Sequence, residues 1–190
     1  MNPWILLGTA ILLIALALWI PRFRLKRALS APFSDTWVEI LEQNIGVYRN
    51  LPMPLRLQLR QMIKQFLHQK QFFGAGGLEI DDEIRVTIAA QACMLQLNRS
   101  VALYPRLKYI IVYPSAFVVE RAESDGSGVV SHGRKGLLGE SWQKGKVILA
   151  WDNVLHGARN FVDGSNVTLH EFAHQLDSET GSANGAPLLA

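Results

Sequence analysis

The residues whose types and spacing could do chemistry are His170-Glu171-Phe172-Ala173-His174. On a helix, His170 and His174 stand one turn apart on the same face, where two imidazoles can grip one zinc ion. Zinc lowers the pKa of its bound water to about 7, which makes hydroxide available at neutral pH. Glu171 sits one residue around the helix. From there its carboxylate could take the proton from that water during attack on a peptide carbonyl and deliver it to the leaving amine. Two histidines four apart also arise by accident, so the pair has to be weighed. Phe172 and Ala173 between them are apolar, which reads as a buried helix. The chain has five histidines, and two fall here. A buried imidazole pair beside a buried glutamate is costly unless a metal uses it, so zinc binding outweighs accident.

Asp177 lies three residues beyond His174 and shares its face. It could accept the second imidazole N–H and orient a ligand. From sequence alone, an ordinary acid near a helix end is the slightly better reading. His68 falls on a helix face, while His132 and His156 fall in loop-like, solvent-facing stretches. None has ligand spacing to His170. Two ligands and a base are therefore legible, where a catalytic zinc takes three protein ligands.

Other elements must hold this helix. Ser165 or Asn166 can cap its start, and Asp163-Gly164 marks a turn before it. Leu55, Leu59, Met62, Ile63, Phe66 and Leu67 recur at helical spacing after Pro54, which suits a first helical turn. An earlier helix runs from Ser34 or Asp35 to about Ile45. Asp81, Asp82 and Glu83 place negative charge at the start of another helix. That helix continues through Ile84, Ile88, Ala92 and Leu95 and is apolar enough to be central. Residues 72–77 read as a loop broken by Gly74, Gly76 and Gly77, with no phosphate-loop Lys-Ser/Thr after them. Residues 109–113, 117–119 and 146–151 are strand candidates, and residues 124–128 are turn-rich. Helices followed by consecutive strands and a final helix imply an α+β fold with a small sheet, not a doubly wound one. Asn98-Arg99-Ser100 matches a glycosylation sequon but reads as a helix end.

The bulk composition agrees. A chain of 190 residues holds one domain plus an anchor. Hydrophobic residues at 49% and charged residues at 18% suit a packed core, not disorder. The single Cys93 allows no internal disulfide and reads as a buried, inert thiol. Of the 19 Lys and Arg residues, four (Arg22, Arg24, Lys26 and Arg27) share one segment; the other 15 face 16 acidic residues, a balance of −1 outside it. The basic character is local, so nothing supports a nucleic-acid footprint on the folded domain.

Residues 4–20 carry no charge. At about 1.5 Å per residue the run falls slightly short of a bilayer core of about 30 Å, with Pro3 and Pro21 near its boundaries. Trp4 and Trp19 sit near the two ends, where indoles favour the interface. A cleaved signal peptide fits less well, because no basic segment precedes the run and the basic cluster follows it. The same cluster places the domain on the cytoplasmic side of the inner membrane and the short N-terminus outside. The expected organisation is a transmembrane anchor over residues 1–21, a basic juxtamembrane linker over 22–34, and a peptidase domain over 35–190.

The sequence resembles the Mlc titration factor A family of zinc-dependent peptidases over most of residues 55–177. The resemblance rests on Phe72-Phe73-Gly74 with Gly76-Gly77, Asp82-Glu83-Ile84-Arg85-Val86 and Ile88-Ala89-Ala90-Gln91-Ala92-Cys93. It continues in Ile111-Val112-Tyr113-Pro114, Trp142, residues 147–151, and Asn166 followed by His170 through Asp177. It implies a zincin fold in which a glutamate on a later helix is the third zinc ligand, and an aminopeptidase-like activity on peptides. One branch of the family binds the glucose-responsive repressor Mlc, which implies a transcriptional repressor as partner. Two departures stand out. This chain has a membrane anchor, and residues 178–190 are rich in Gly, Ala, Ser and Asn, with no ligand helix. Glu179 is too close to the motif to be the downstream glutamate. The third ligand is therefore expected to be absent from this chain, which reads as an incomplete piece of a longer protein. The alternative is a non-catalytic regulator that binds a repressor or a membrane partner.

Overall fold

The computed structural model describes residues 3–99, 101–115, 145–162 and 164–179, and the backbone of 121–124 and 130–133. Among these residues the protein is mostly helical, with a small parallel sheet. Helix α1 (Pro3–Ser30) passes through Pro21 and carries no buried residue. It is long and apolar enough to cross a membrane. The expected linker after residue 21 is instead helical as far as Ser30, so the basic residues extend the same helix. The buried Lys64 ammonium donates to the carbonyls of Leu29 and Ala31 at its end. Carbonyls at a helix C-terminus have no partner within the helix, and a cation there is favourable.

Helix α2 (Asp35–Asn44) and helix α3 (Met53–Gln69) fall where periodicity puts them, with Pro54 in the first turn of α3. The apolar stripe Leu59, Ile63, Phe66 and Leu67 is the buried face of α3. Helix α4 (Asp82–Met94) begins with the Asp81 carboxylate accepting the Ile84 N–H at 2.9 Å. Residues 86–93 of α4 are all buried, and α2, α3 and two later helices, α5 (Trp151–Arg159) and α6 (Val167–Glu179), all pack on it. Ala89, Ala90 and Ala92 on α4 let these helices approach closely. This is the central helix that the apolar run predicted.

The sheet differs from expectation. Strand β1 (Gln71–Gly74) lies where a loop was read. It pairs in parallel with β2 (Tyr109–Tyr113), which pairs in parallel with β5 (Lys146–Ala150), in the order β1-β2-β5. The register sets Phe72 beside Ile110 and Ile110 beside Val147. Helix α4 is the crossover between β1 and β2, as parallel strands require. The sheet is therefore not built from consecutive strands after the helices: its first strand precedes α4. β1 was missed because glycines crowd its end. Gly74 is required there, since a Cβ on it would stand 1.8 Å from the Leu78 carbonyl oxygen, and Gly76 and Gly77 have φ of +62° and +80°. Strands β3 (Arg121–Ser124) and β4 (Val130–Gly133) form a separate antiparallel pair. The expected strand at 117–119 and most of the expected turn at 124–128 lie outside the described residues, as do Ser100, Trp142, Asp163 and residues 180–190.

Helix α5 (Trp151–Arg159) follows β5 directly, and helix α6 (Val167–Glu179) carries the motif. α5 was not legible because its buried positions are Val154, Gly157 and Ala158. Two of these three are too small to mark an apolar stripe.

Candidate metal centre on helix α6

The start of α6 is set by Asn166, whose side-chain oxygen accepts the Leu169 N–H at 2.8 Å. Of the two expected caps, Asn166 takes the role. The helix then buries Thr168, Glu171, Phe172, Gln175, Leu176 and Asp177, against α4, α5 and β5. Phe172 fits an aromatic cluster: its ring centroid is 5.2 Å from that of Tyr104 and 5.9 Å from that of Phe66. Tyr104 adopts a φ of +46° and donates its hydroxyl to the Ala92 carbonyl at 2.7 Å. Arg106 donates to the Ser178 carbonyl at 2.9 Å, near the other end of α6. Sequence reasoning missed Tyr104 and Arg106, which carry no periodicity or motif signal.

His170 and His174 do come together. Their Nε2 atoms lie 3.0 Å apart, and the rings meet edge to face with centroids 4.4 Å apart. They are not the buried pair that the apolar neighbours implied. His170 is exposed and His174 half-buried, because the Phe172 face of α6 turns inward and carries the imidazoles to the rim. Glu171 is 2% exposed and Asp177 3% exposed. Asp177, three residues beyond His174, is a buried acid near the end of α6. His68 is exposed on α3; His156 is exposed on α5, not in a loop; and His132 belongs to β4.

Whether these side chains fit a metal ion can be judged from the nitrogens. Two nitrogens bound at about 2.0–2.1 Å to one tetrahedral ion lie about 3.3–3.4 Å apart. The 3.0 Å separation of the Nε2 atoms is close to that, so a small adjustment of the side chains suffices. His170 and His174 fit two corners of such a site. Among the described residues no group of three His, Cys, Asp or Glu side chains gathers to hold a metal.

Residues 20–190 match the family described as Glucose-regulated metallo-peptidase M90, and the chain belongs to this family. A similar, uncharacterized protein of Synechocystis sp. is 41% identical over 168 residues, which cover 88% of this chain and 61% of the relative. The Mlc titration factor A of Escherichia fergusonii is 32% identical over 154 residues, covering 80% of this chain and 57% of that protein. The same-named protein of Klebsiella pneumoniae is 32% identical over 146 residues, covering 76% and 54%. The chain therefore spans between 54% and 61% of the length of these relatives. The family's description implies a metal ion.

Proposed function

We propose that this chain is the metal-helix part of a membrane-anchored, zincin-like zinc peptidase, aminopeptidase-like in its action on peptides. The observation that carries the reading is the convergence of the His170 and His174 Nε2 atoms to 3.0 Å at the rim of α6, in a chain whose family is described as a metallo-peptidase. His170 and His174 would hold the zinc, together with a third ligand from outside the described residues. Bound zinc would supply Lewis acidity and a water acidic enough to ionise near pH 7. Glu171 is the general base. It takes a proton from the attacking water and passes it to the amine that leaves. Its burial keeps bulk water from its carboxylate, which helps retain the proton between the two transfers. Asp177 positions His174 from the buried side of the helix. α1 spans the inner membrane, with the basic residues and the domain on the cytoplasmic side.

The test is made on the full-length protein in detergent. Zinc stoichiometry and hydrolysis of short peptides are measured for the wild type, His170→Ala, His174→Ala and Glu171→Gln. The two alanine variants lose zinc. Glu171→Gln keeps zinc and loses about 10²- to 10⁴-fold in turnover. Undiminished hydrolysis by Glu171→Gln would refute the assignment.

A second reading is supported by the name of two relatives, Mlc titration factor A. The chain would then bind a transcriptional repressor without hydrolysing anything. This reading expects repressor capture to survive chelation and Glu171→Gln, with no peptide turnover. Capture that vanishes with the metal, alongside turnover, counts against it.

A further inference from the structure

One side-chain amide ties together three helices at the start of the motif helix. The Asn166 oxygen accepts the Leu169 N–H at 2.8 Å and so caps α6. Its nitrogen donates to the Gln91 side-chain oxygen on α4 at 3.0 Å and to the Gly157 carbonyl on α5 at 2.7 Å. Both hydrogens of the amide and its oxygen are thereby used. Gln91 is fully buried, and its own nitrogen donates to the Val154 carbonyl at 3.3 Å, which leaves its oxygen facing Asn166. Space is matched as closely as polarity. A Cβ on Gly157 would stand 2.7 Å from the Asn166 side chain. The backbone adds a last link, because the His170 N–H donates to the Asn166 carbonyl at 3.1 Å.

We propose that Asn166 is a positioning residue for the metal ligands: it sets the axial and rotational placement of α6 against α4 and α5. Through α6 it sets where the His170 and His174 imidazoles project. The inference rests on the reading that these imidazoles bind zinc. Capping alone does not require asparagine, since aspartate, serine and threonine cap a helix start too. The two donated hydrogen bonds do require it. Aspartate keeps the cap but turns a second oxygen toward the Gln91 oxygen and the Gly157 carbonyl, where donors are needed. Serine and threonine have no second polar group for these partners. Gly157→Ala strains the same joint from α5 without changing α6 at all.

The experiment compares full-length wild type, Asn166→Asp, Gly157→Ala and a core control on α3, Ile63→Val. Zinc affinity is read by chelator competition, coordination geometry by the absorption spectrum of the cobalt(II)-loaded protein, and stability by thermal unfolding without metal. Asn166→Asp and Gly157→Ala are expected to weaken zinc about 10- to 100-fold, the range found for groups that orient metal ligands. The same variants should shift the cobalt spectrum. Ile63→Val should lower the unfolding temperature while leaving affinity and spectrum unchanged. If Asn166→Asp and Gly157→Ala also lower only the unfolding temperature, with zinc affinity and spectrum as in the wild type, the positioning role is overturned. Amide hydrogen exchange without metal separates this from failure of the zinc reading. Should His170→Ala not alter zinc uptake, a selective loss of protection in α6 of Asn166→Asp still supports the joint, and unchanged protection refutes it.

Discussion

At the residue scale, Cys93 shows how position decides reactivity. It is buried in α4, and burial pushes its thiol pKa well above the usual range, only partly opposed by the nearby Lys70 cation. A thiol is reactive as the thiolate, so Cys93 should resist alkylation at neutral pH until the protein unfolds. Rapid labelling under native conditions, followed by mass spectrometry, would contradict this. The sign of the pH effect follows from the direction of the shift. The unfolded thiol ionises near pH 8.5 and the folded one does not. The buried neutral thiol therefore contributes fully below that pH, and its contribution is lost as pH rises above it. Cys93→Ala should flatten the alkaline fall of the unfolding temperature relative to the wild type. The sequence showed the type of this residue and its apolar neighbours. It could not show Lys70 donating to the Tyr104 and Leu107 carbonyls nearby.

At the scale of elements, α6 is held by Asn166 at its start and by the packing of Phe172 at its middle. Phe172 is fully buried between Tyr104 and Phe66. Its truncation to alanine removes a large side chain from a closed site and should cost about 3–5 kcal/mol in denaturant unfolding. A cost under about 1 kcal/mol would mean that the aromatic cluster does not hold the helix. α4 offers a milder test, because Asp81 supplies its cap. Asp81→Ala should cost about 1 kcal/mol, read from the same midpoint shift. Helices α2, α3, α4 and α6 were legible from their caps and stripes. β1 and α5 were not. β1 is four residues at a sheet edge, defined by pairing with a strand 38 positions later. α5 buries glycine and alanine, which leave no hydrophobic trace.

At the scale of the whole molecule, the joint between α1 and the domain matters most. Leu25, Ala28 and Leu29 are partly covered, and Lys64 holds the carbonyls of Leu29 and Ala31. Phe33 adds an edge-to-face contact with Trp37 at 5.4 Å, and the Arg60 guanidinium lies over the Phe33 ring. The basic segment is thus part of the same helix, whose end meets the domain directly. Lys64→Met keeps much of the buried side-chain volume but removes the donor. It should raise protease cleavage at residues 31–34 in membrane-reconstituted protein, with zinc affinity unchanged. Equal cleavage of variant and wild type would show that Lys64 does not secure the joint.

The sequence by itself determined the local features: an apolar helix at the start, capped amphipathic helices, and two imidazoles one turn apart. These follow from side-chain type and helical period, which act over a few residues. Only the tertiary structure decided which side of α6 faces inward. Phe172 beds between Tyr104 and Phe66 and turns His170 outward, against the buried pair that its apolar neighbours implied. Only the tertiary structure, too, brought Gln91, Gly157 and Asn166 to one point. Their meeting depends on three helices packing together, and no spacing along the chain encodes it.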